Sequence, residues 1–523
     1  MNFITEENVG RGRIKFLYFC LLLAFLIVSI RLIFVVASGD KVNVSKFYNS
    51  HKNQKRANII DRNGVILATD LKAKSLYASK VLIKNPKTLA KKLSKIFPDL
   101  KYKDAFKKLS SRNRKWILIK RAVTPKEQKA VRSLKVAGLI FEPDLARVYP
   151  QKSILSHIVG YVDLDRNGLS GVENFYDESL KKGKDLQLAM DVRLQDVLSD
   201  EISKAVKKYK AVAASGIIMD VTNGEVLAIS SYPDFDPNHQ ARAKSNKKFN
   251  RATYGVYELG SIFKIFTNAI AFEDGLVKMT DKFDVSEPVK YGKFTIKDDH
   301  PIKEGIADVR TIFSKSSNIG TIKIAQKIGT ERQKEMMEKF GLLDRLTSDF
   351  PSLSRPIYPK SWREIHLYTI AYGHGIAVTP LHIAASTSAM VNGGIFYQPS
   401  FAKLNHNKGR RVIKESTSKI IRKMLRDVVK NGTGKNAAVK GYEVGGKTGT
   451  AERAEFGSYS EKKTIASFLA VFPTSKPKYL VFVALDRADS KFNTGGMIAA
   501  PVARNIIEGI APILALVPKN AKK

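Results

Sequence analysis

The sequence predicts an α+β protein in three parts: one N-terminal membrane-spanning helix, a small α/β domain, and a larger domain in which helices sandwich an antiparallel sheet. Three observations predict it. One segment near the N-terminus is apolar over a bilayer's width. Alternating and helical hydrophobic periods follow one another in separate blocks. The strand-forming runs of the larger block lie near its two ends with helical segments between them, which builds one sheet from distant parts of the chain.

With 523 residues the chain has room for two to four domains, and 44% hydrophobic with 26% charged residues is the mix of an ordered, core-forming protein. The formal charge of +40, from 89 basic against 49 acidic side chains, fits either an anionic partner or a lysine-rich solvated surface. No nucleic-acid-binding module accompanies it, so nucleic acid is set aside.

Residues 1–15 read as a short cytoplasmic tail and 16–37 as the transmembrane helix, whose single charge, Arg31, lies near its end where it can snorkel. A cleaved signal peptide, with Val35, Val36 and Ala37 as the cleavage site, is the competing reading, but the apolar stretch is longer than a signal core. Arg11, Arg13 and Lys15 before the helix are matched by Lys41, Lys46, Lys52, Lys55 and Arg56 after it, so the positive-inside rule gives little direction. A short tail, one helix and a large domain are nonetheless the layout of an exported, anchored protein. The only cysteine, Cys20, sits inside the helix, which excludes a disulfide framework and a cysteine-rich metal site.

Beyond the helix, "RANIIDRNGVILATD" alternates around an Asn-Gly turn and predicts a hairpin. From Lys80 to Lys129 the chain is basic with modest apolar periodicity, predicting short amphipathic helices with a charged outer face. Near Asp191 the elements lengthen: a helix in "RLQDVLSDEISKAVKKY", then strands in "AVAASGIIMDV" and "GEVLAISS" about a Thr-Asn-Gly turn. "TIASFLAVF" and "YLVFVALDRA" predict two more strands, and "APVARNIIEGIAPILALV" a closing helix. The expected domains are 45–188 and 189–517.

The chemistry gathers in three stretches of the larger domain. In "YELGSIFKIFT" Ser261 opens an apolar helical run and Lys264 follows one turn later on the same face, so their side chains can meet. A serine hydroxyl needs a base to become a nucleophile, and a lysine serves only if burial or neighbouring charge lowers its pKa. Alone, the pair reads equally as an N-cap serine beside a surface lysine. "SKSSNIG" adds Ser316, Ser317 and Asn318, and "VGGKTGTAE" adds Lys447, Thr448, Gly449 and Thr450 on a strand whose glycines permit close approach of a ligand backbone.

S-x-x-K, S-x-N and K-T-G in this order resemble the signature of penicillin-binding proteins and serine β-lactamases. The blocks "GIIMDVTNGEVLAISSYPDFDPN", "NRATYGVYELGSIFK", "YGHGIAVTPLHIAASTSAMVNGG", "DVVKNGTG" and "GGMIAAPV" look like those of class B penicillin-binding proteins, as do "RVYP", "HIVGYVD" and "GLSGVENFYDESL" before them. The resemblance runs from Arg56 onward and is nearest the division-specific, FtsI-like branch. It implies an elongated non-catalytic pedestal at 45–188 and a serine β-lactamase-like transpeptidase domain at 189–517. Ala57-Asn58 stands where the family usually has Arg-Gly, which leaves the local turn open, and Leu259 replaces a usual Pro.

What the resemblance implies is a serine-type D-Ala-D-Ala transpeptidase with carboxypeptidase-type acyl-serine chemistry. Ser261 attacks the carbonyl between the two terminal D-alanines of a peptidoglycan stem peptide, with Lys264 as the candidate base. Ser316 relays the proton, Asn318 orients Lys264 and the substrate amide, and Lys447 with Thr448 and Thr450 receives the terminal carboxylate. The backbone N–H groups of Ser261 and Thr450 form the oxyanion hole. No cofactor or metal is expected, and His374 reads as a turn residue. β-Lactams are expected to acylate Ser261 and leave slowly, since no deacylating glutamate motif is present. The implied partners are a membrane glycosyltransferase of the shape, elongation, division and sporulation (SEDS) family and other divisome proteins. An elongation-specific transpeptidase, or a β-lactam sensor or non-catalytic scaffold that keeps the fold, are the alternatives.

Overall fold

The structure, a computed structural model, describes residues 6–37, 55–111, 116–292, 294–351, 353–404, 406–455, 458–486 and 494–519. The expectations for Lys41, Lys46, Lys52, the domain start at residue 45 and the last two residues of "YLVFVALDRA" lie outside them. Two compact units form, Met1–Lys55 with Lys72–Leu145, and Arg56–Leu71 with Ala146–Lys523. The hairpin and residues 146–188, expected in the small domain, thus pack within the larger unit.

In the first unit, helix α1 (Glu6–Ala37) begins well before the apolar stretch, and its portion Lys15–Ile33, with mean hydropathy 2.6, is long and apolar enough to cross a membrane. Strand β1 (Ile66–Ser79) enters this unit at Lys72. Two amphipathic helices follow, α2 (Pro86–Ile96), capped by Asn85 with Pro86 in its first turn, and α3 (Tyr102–Ser110). Their apolar stripes bury Leu89, Leu93, Phe97 and Leu109 against Leu76, Ile117 and Ile119. The last two belong to a strand, β2 (Trp116–Val123), where the sequence predicts only helices. Its run Trp-Ile-Leu-Ile is β-prone, and pairing with Lys74–Ser79 of β1 outweighs the helical periodicity around it. Helix α4 (Pro125–Arg132) is started by a capping box between Thr124 and Glu127.

In the second unit the expected hairpin forms: Ile59–Ile60 pairs with Ile66–Ala68, and Asp61 Oδ1 accepts from the N–H groups of Asn63 (2.7 Å) and Val65 (2.8 Å). Asn58 needs no glycine, because its φ is negative; its side chain accepts from Thr69 Oγ1 at 2.7 Å. Beside it lies a buried ionic cluster. Arg56, 2% exposed, reaches Glu173 and Asp177, each at 2.7 Å; Arg147 shares Glu173 (2.7 Å); Asp70 receives Arg147 and Arg166. Charges this deeply buried persist only because each has partners.

The main sheet carries the site. Helix α5 (Val192–Tyr209) precedes strands β3 (Ala213–Asp220) and β4 (Val226–Tyr232), joined about Thr222–Gly224. Far along the chain come β5 (Gly445–Glu455), β6 (Ser458–Phe472) and β7 (Tyr479–Asp486), then helix α6 (Ala500–Ile513). The sheet order is β5-β6-β7-β3-β4, so the first strand of the domain pairs with its last, antiparallel. Alternation sorts the side chains: Ile218, Val481 and Val483 pack with Leu198 and Ile202 of α5 and Ile506 and Ile510 of α6, while Ile217, Met219, Leu480 and Phe482 join the core of the helices on the other face. β5 is left as an edge strand, which frees one side of it to face the cleft.

Glu173→Ala removes the carboxylate that Arg56 and Arg147 share, leaving them Asp177 and Asp70, and is expected to destabilise by about 2–3 kcal/mol. A thermal melt should show it against Lys181→Ala, whose exposed bridge to Asp177 contributes about 0–1 kcal/mol.

Candidate active site

Three segments distant in sequence meet in a cleft of about 800 Å3 whose walls include Ser261, Ser316, Asn318, Thr448 and Thr450. The first does not begin as the expected α-helix. Gly260–Phe263 form a 3-10 turn, and the α-helix runs over Lys264–Glu273. Gly260 has φ +52°, and a Cβ there would stand 2.3 Å from the Thr450 carbonyl oxygen, so the tight turn is fixed by contact with β5. With three residues per turn, Ser261 and Lys264 still share a side. Ser261 faces the cleft; Lys264 is 0% exposed.

The second segment joins two helices, Val309–Lys315 and Asn318–Ile328. Ser316 sits between them at φ +65°, a left-handed conformation that disfavours a non-glycine residue by about 1–2 kcal/mol. Ser317 turns away and caps the second helix, its Oγ accepting from Gly320 N–H at 2.9 Å. That division of labour leaves Ser316 and Asn318 lining the cleft.

Asp298, which sequence reasoning missed, holds this junction. Its carboxylate accepts from Ser317 Oγ (2.6 Å), Asn318 N–H (2.5 Å) and Ile319 N–H (2.9 Å), placing a negative charge on the helix N-terminus. Asn318 Nδ2 donates to the Lys297 carbonyl at 3.0 Å. "IKDDH" carries no signature of its own, and only the fold brings it to the second motif.

The third segment is β5. Lys447, also 0% exposed, extends Nζ to Ser316 Oγ at 2.8 Å. Lys264 Nζ donates to the Ser316 carbonyl (2.5 Å), Asn318 Oδ1 (2.7 Å) and Ser316 Oγ (3.3 Å). Two lysines thus converge on one hydroxyl. Thr448 Oγ1 pairs with Thr433 Oγ1 at 2.8 Å, and Thr450 Oγ1 accepts from Gly495 N–H at 3.1 Å. Gly449 lets parts of this chain come close. A Cβ there would lie 2.4 Å from Ser467 Oγ and 2.5 Å from the Leu259 carbonyl, so the close approach it permits is between parts of this chain.

Electrostatics follow from burial. Loss of water pushes the Lys264 ammonium down to about 7, against the opposing pull of Asp298 and Asp299. Lys447 is driven well below its ordinary value by burial and then by Lys264. His374 also lines the cleft, in a turn between Gly373 and Gly375, both at positive φ. Burial, then Lys264, lowers it to about 4, so it is neutral at physiological pH. The set brings together a hydroxyl facing the cleft, a lysine pushed toward its free base and bonded to Ser316 and Asn318, and donors for an anionic group.

A family profile described as the penicillin binding protein transpeptidase domain matches residues 214–508, and one described as the penicillin-binding protein dimerisation domain matches 51–204. The probable peptidoglycan D,D-transpeptidase FtsI of Caulobacter vibrioides is 34% identical over 89% of this chain and 82% of its own length. The chain belongs to the class B penicillin-binding proteins. Within that family of serine D,D-transpeptidases, the stage V sporulation protein D of Bacillus subtilis is 30% identical over 98% of this chain and 87% of its own. Penicillin binding protein 3 of Mycobacterium tuberculosis, solved with aztreonam, shares the fold: TM-score 0.71 at 24% identity, covering 88% of this chain and 96% of that one.

Asp298→Ala removes three hydrogen bonds to a charged acceptor and is expected to cost at least about 2 kcal/mol, with the largest loss of protection at the start of Asn318–Ile328. Hydrogen exchange measured on that segment checks it.

Proposed function

We propose that this class B penicillin-binding protein cross-links peptidoglycan through an acyl-enzyme on Ser261, anchored by α1 in the cytoplasmic membrane with its catalytic domain and pedestal on the outer side. The observation that carries the reading is the meeting of Lys264, Lys447 and Asn318 around Ser316 in the cleft that Ser261 faces.

In this mechanism Lys447, Thr448 and Thr450 hold the terminal carboxylate of the donor stem. Its negative charge draws the proton of the lysine pair onto Lys447, and the resulting ammonium keeps Lys264 neutral and able to act as base. Ser261 Oγ attacks the carbonyl between the two D-alanines while Lys264 takes its proton. Backbone N–H groups of Ser261 and Thr450 stabilise the oxyanion. Ser316 passes a proton to the departing amine, the C–N bond breaks, and D-alanine leaves. An amine from a neighbouring stem then replaces Ser261 on the acyl carbon. β-Lactams enter by the same first step and leave slowly, since the sequence carries no recognisable deacylating glutamate motif.

A role in septal wall synthesis is supported by the FtsI relative, whose name ties it to the division branch. The sporulation relative marks the other specialisation open to the same chemistry. A SEDS-family glycosyltransferase and divisome proteins are the partners this role requires.

Labelling the detergent-solubilised protein with a fluorescent penicillin tests the reading. Stable label that Ser261→Ala abolishes is expected; an unlabelled folded wild type would overturn it. The label should also form faster as pH rises through about 7 and level off above, because the free-base form of Lys264 increases across that range. A rate flat from pH 6 to 8 would remove Lys264 as the base.

A further inference from the structure

A cavity of about 200 Å3 lies within the second unit and shares no lining residue with the catalytic cleft. One wall comes from the stretch "SHIVGY", through Ser156, His157 and Tyr161. The other comes from the loop after β4, through Phe235, Phe249, Asn250 and Tyr254.

Two features of this lining call for a ligand. At the rim, the rings of Phe249 and Tyr254 meet edge to face at 5.7 Å yet remain 39% and 51% exposed. Deeper in, Ser156 and Asn250 are buried, and neither Ser156 Oγ nor Asn250 Nδ2 has a hydrogen-bond partner among the described residues. A buried polar group without a partner is costly, so its persistence asks for a partner from outside the chain.

The ligand's chemistry follows from what the lining has already committed. Asn250 Oδ1 accepts from the N–H groups of Ala252 (3.1 Å) and Thr253 (3.3 Å), so only its amide hydrogens remain, and these need an acceptor such as a carbonyl oxygen. Lys248 Nζ stands 4.9 Å over the Tyr161 ring and the Arg251 guanidinium 5.5 Å over Phe249, so a cation would meet like charge. Lys248 also bonds Gln240 Oε1 at 3.3 Å, and burial lowers His157 to about 4, which keeps it neutral. A purely apolar ligand would leave Ser156 and Asn250 unpaired. What fits is a neutral ring with a C–H face for the aromatic rim, a carbonyl oxygen for Asn250 and a hydroxyl for Ser156. The volume falls below the roughly 300–1,000 Å3 of sites for drug-sized ligands, which limits the occupant to one ring with its substituents.

An N-acetylated sugar carries all three groups. We propose that this cavity binds one N-acetylhexosamine ring of a glycan chain: the acetamide carbonyl accepts from Asn250 Nδ2, a ring hydroxyl pairs with Ser156 Oγ, and the C–H face of the sugar covers Tyr254 and Phe249. Peptidoglycan is built on such chains, so the source of the sugar rests on the transpeptidase reading above, whereas the binding itself does not. The glycan is then held apart from the cleft that receives its peptides.

The test uses the full solubilised chain and saturation-transfer NMR. Tri-N-acetylchitotriose is the probe, and cellotriose, which lacks the acetamides, is the control. Transfer to the acetyl protons is expected in wild type, with none to cellotriose. Tyr254→Ala and Ser156→Ala should each raise the dissociation constant about threefold to tenfold, and Tyr254→Phe should leave it unchanged. Tyr254 is exposed and the Ser156 hydroxyl has no hydrogen bond to lose, so both variants keep the fold and label with fluorescent penicillin as wild type does. Glycan strands stripped of their peptides should carry the wild type down on sedimentation, and Tyr254→Ala less. A wild type that ignores chitotriose, takes up cellotriose equally or stays behind when the strands sediment would overturn the proposal, as would alanine variants that bind like wild type. A wild type that binds the sugar but is not acylated by penicillin would instead bring down the reading that names its source.

Discussion

Two fully buried lysines meet at one serine hydroxyl, and the rest of the catalytic domain is arranged around that contact. Two ammonium charges on one hydroxyl repel each other, before any desolvation is counted. Such a pair does not keep both protons at neutral pH. Burial pushes both ammonium groups toward the free base and Lys264 pushes Lys447 further, while Asp298 and Asp299 oppose the shift at Lys264. Ser316 is the pivot, accepting from Lys447 while its backbone carbonyl accepts from Lys264.

The fold makes that contact possible by bringing three backbones unusually close. Gly260 lies against the Thr450 carbonyl, Gly373 against the Gly260 carbonyl, and Gly449 against the Leu259 carbonyl. A side chain at Gly260 or Gly449 would push the edge strand from the nucleophile's turn, and one at Gly373 would press on that turn from the other loop. Ser316 contributes the remaining constraint, a left-handed backbone held between two helices and locked from the far side by Asp298. These close contacts hold the backbone in place where the chemistry is proposed.

Much of this was legible in the sequence, and the limits are instructive. The long alternating or periodic runs gave the sheet and its flanking helices, because burial on both faces of β3 and β7 leaves little freedom in register. The three motifs named Ser261, Lys264, Ser316, Asn318 and Lys447, which the fold does gather. Asp298 stayed hidden, since its role consists of hydrogen bonds to residues twenty positions away and no local pattern announces it. Gly449 was legible as a close-approach glycine, but the sequence could not say that the approaching group is Leu259 and not a ligand. Strand β2 was missed for a related reason: its partner, Lys74–Ser79, lies far along the chain, and the lysine-rich helices on either side set the apparent period.

The central claim is that the Lys264–Lys447 pair carries one proton fewer than two ordinary lysines at neutral pH. Lysine ε-carbon NMR on the solubilised, 13C-labelled chain tests it most directly, with Lys264→Arg and Lys447→Arg to assign the two signals. Expected are signals of both residues displaced toward the free base, with Lys264 titrating near pH 7. Two lysines that both stay protonated up to about pH 10, as lysines do in water, would contradict it.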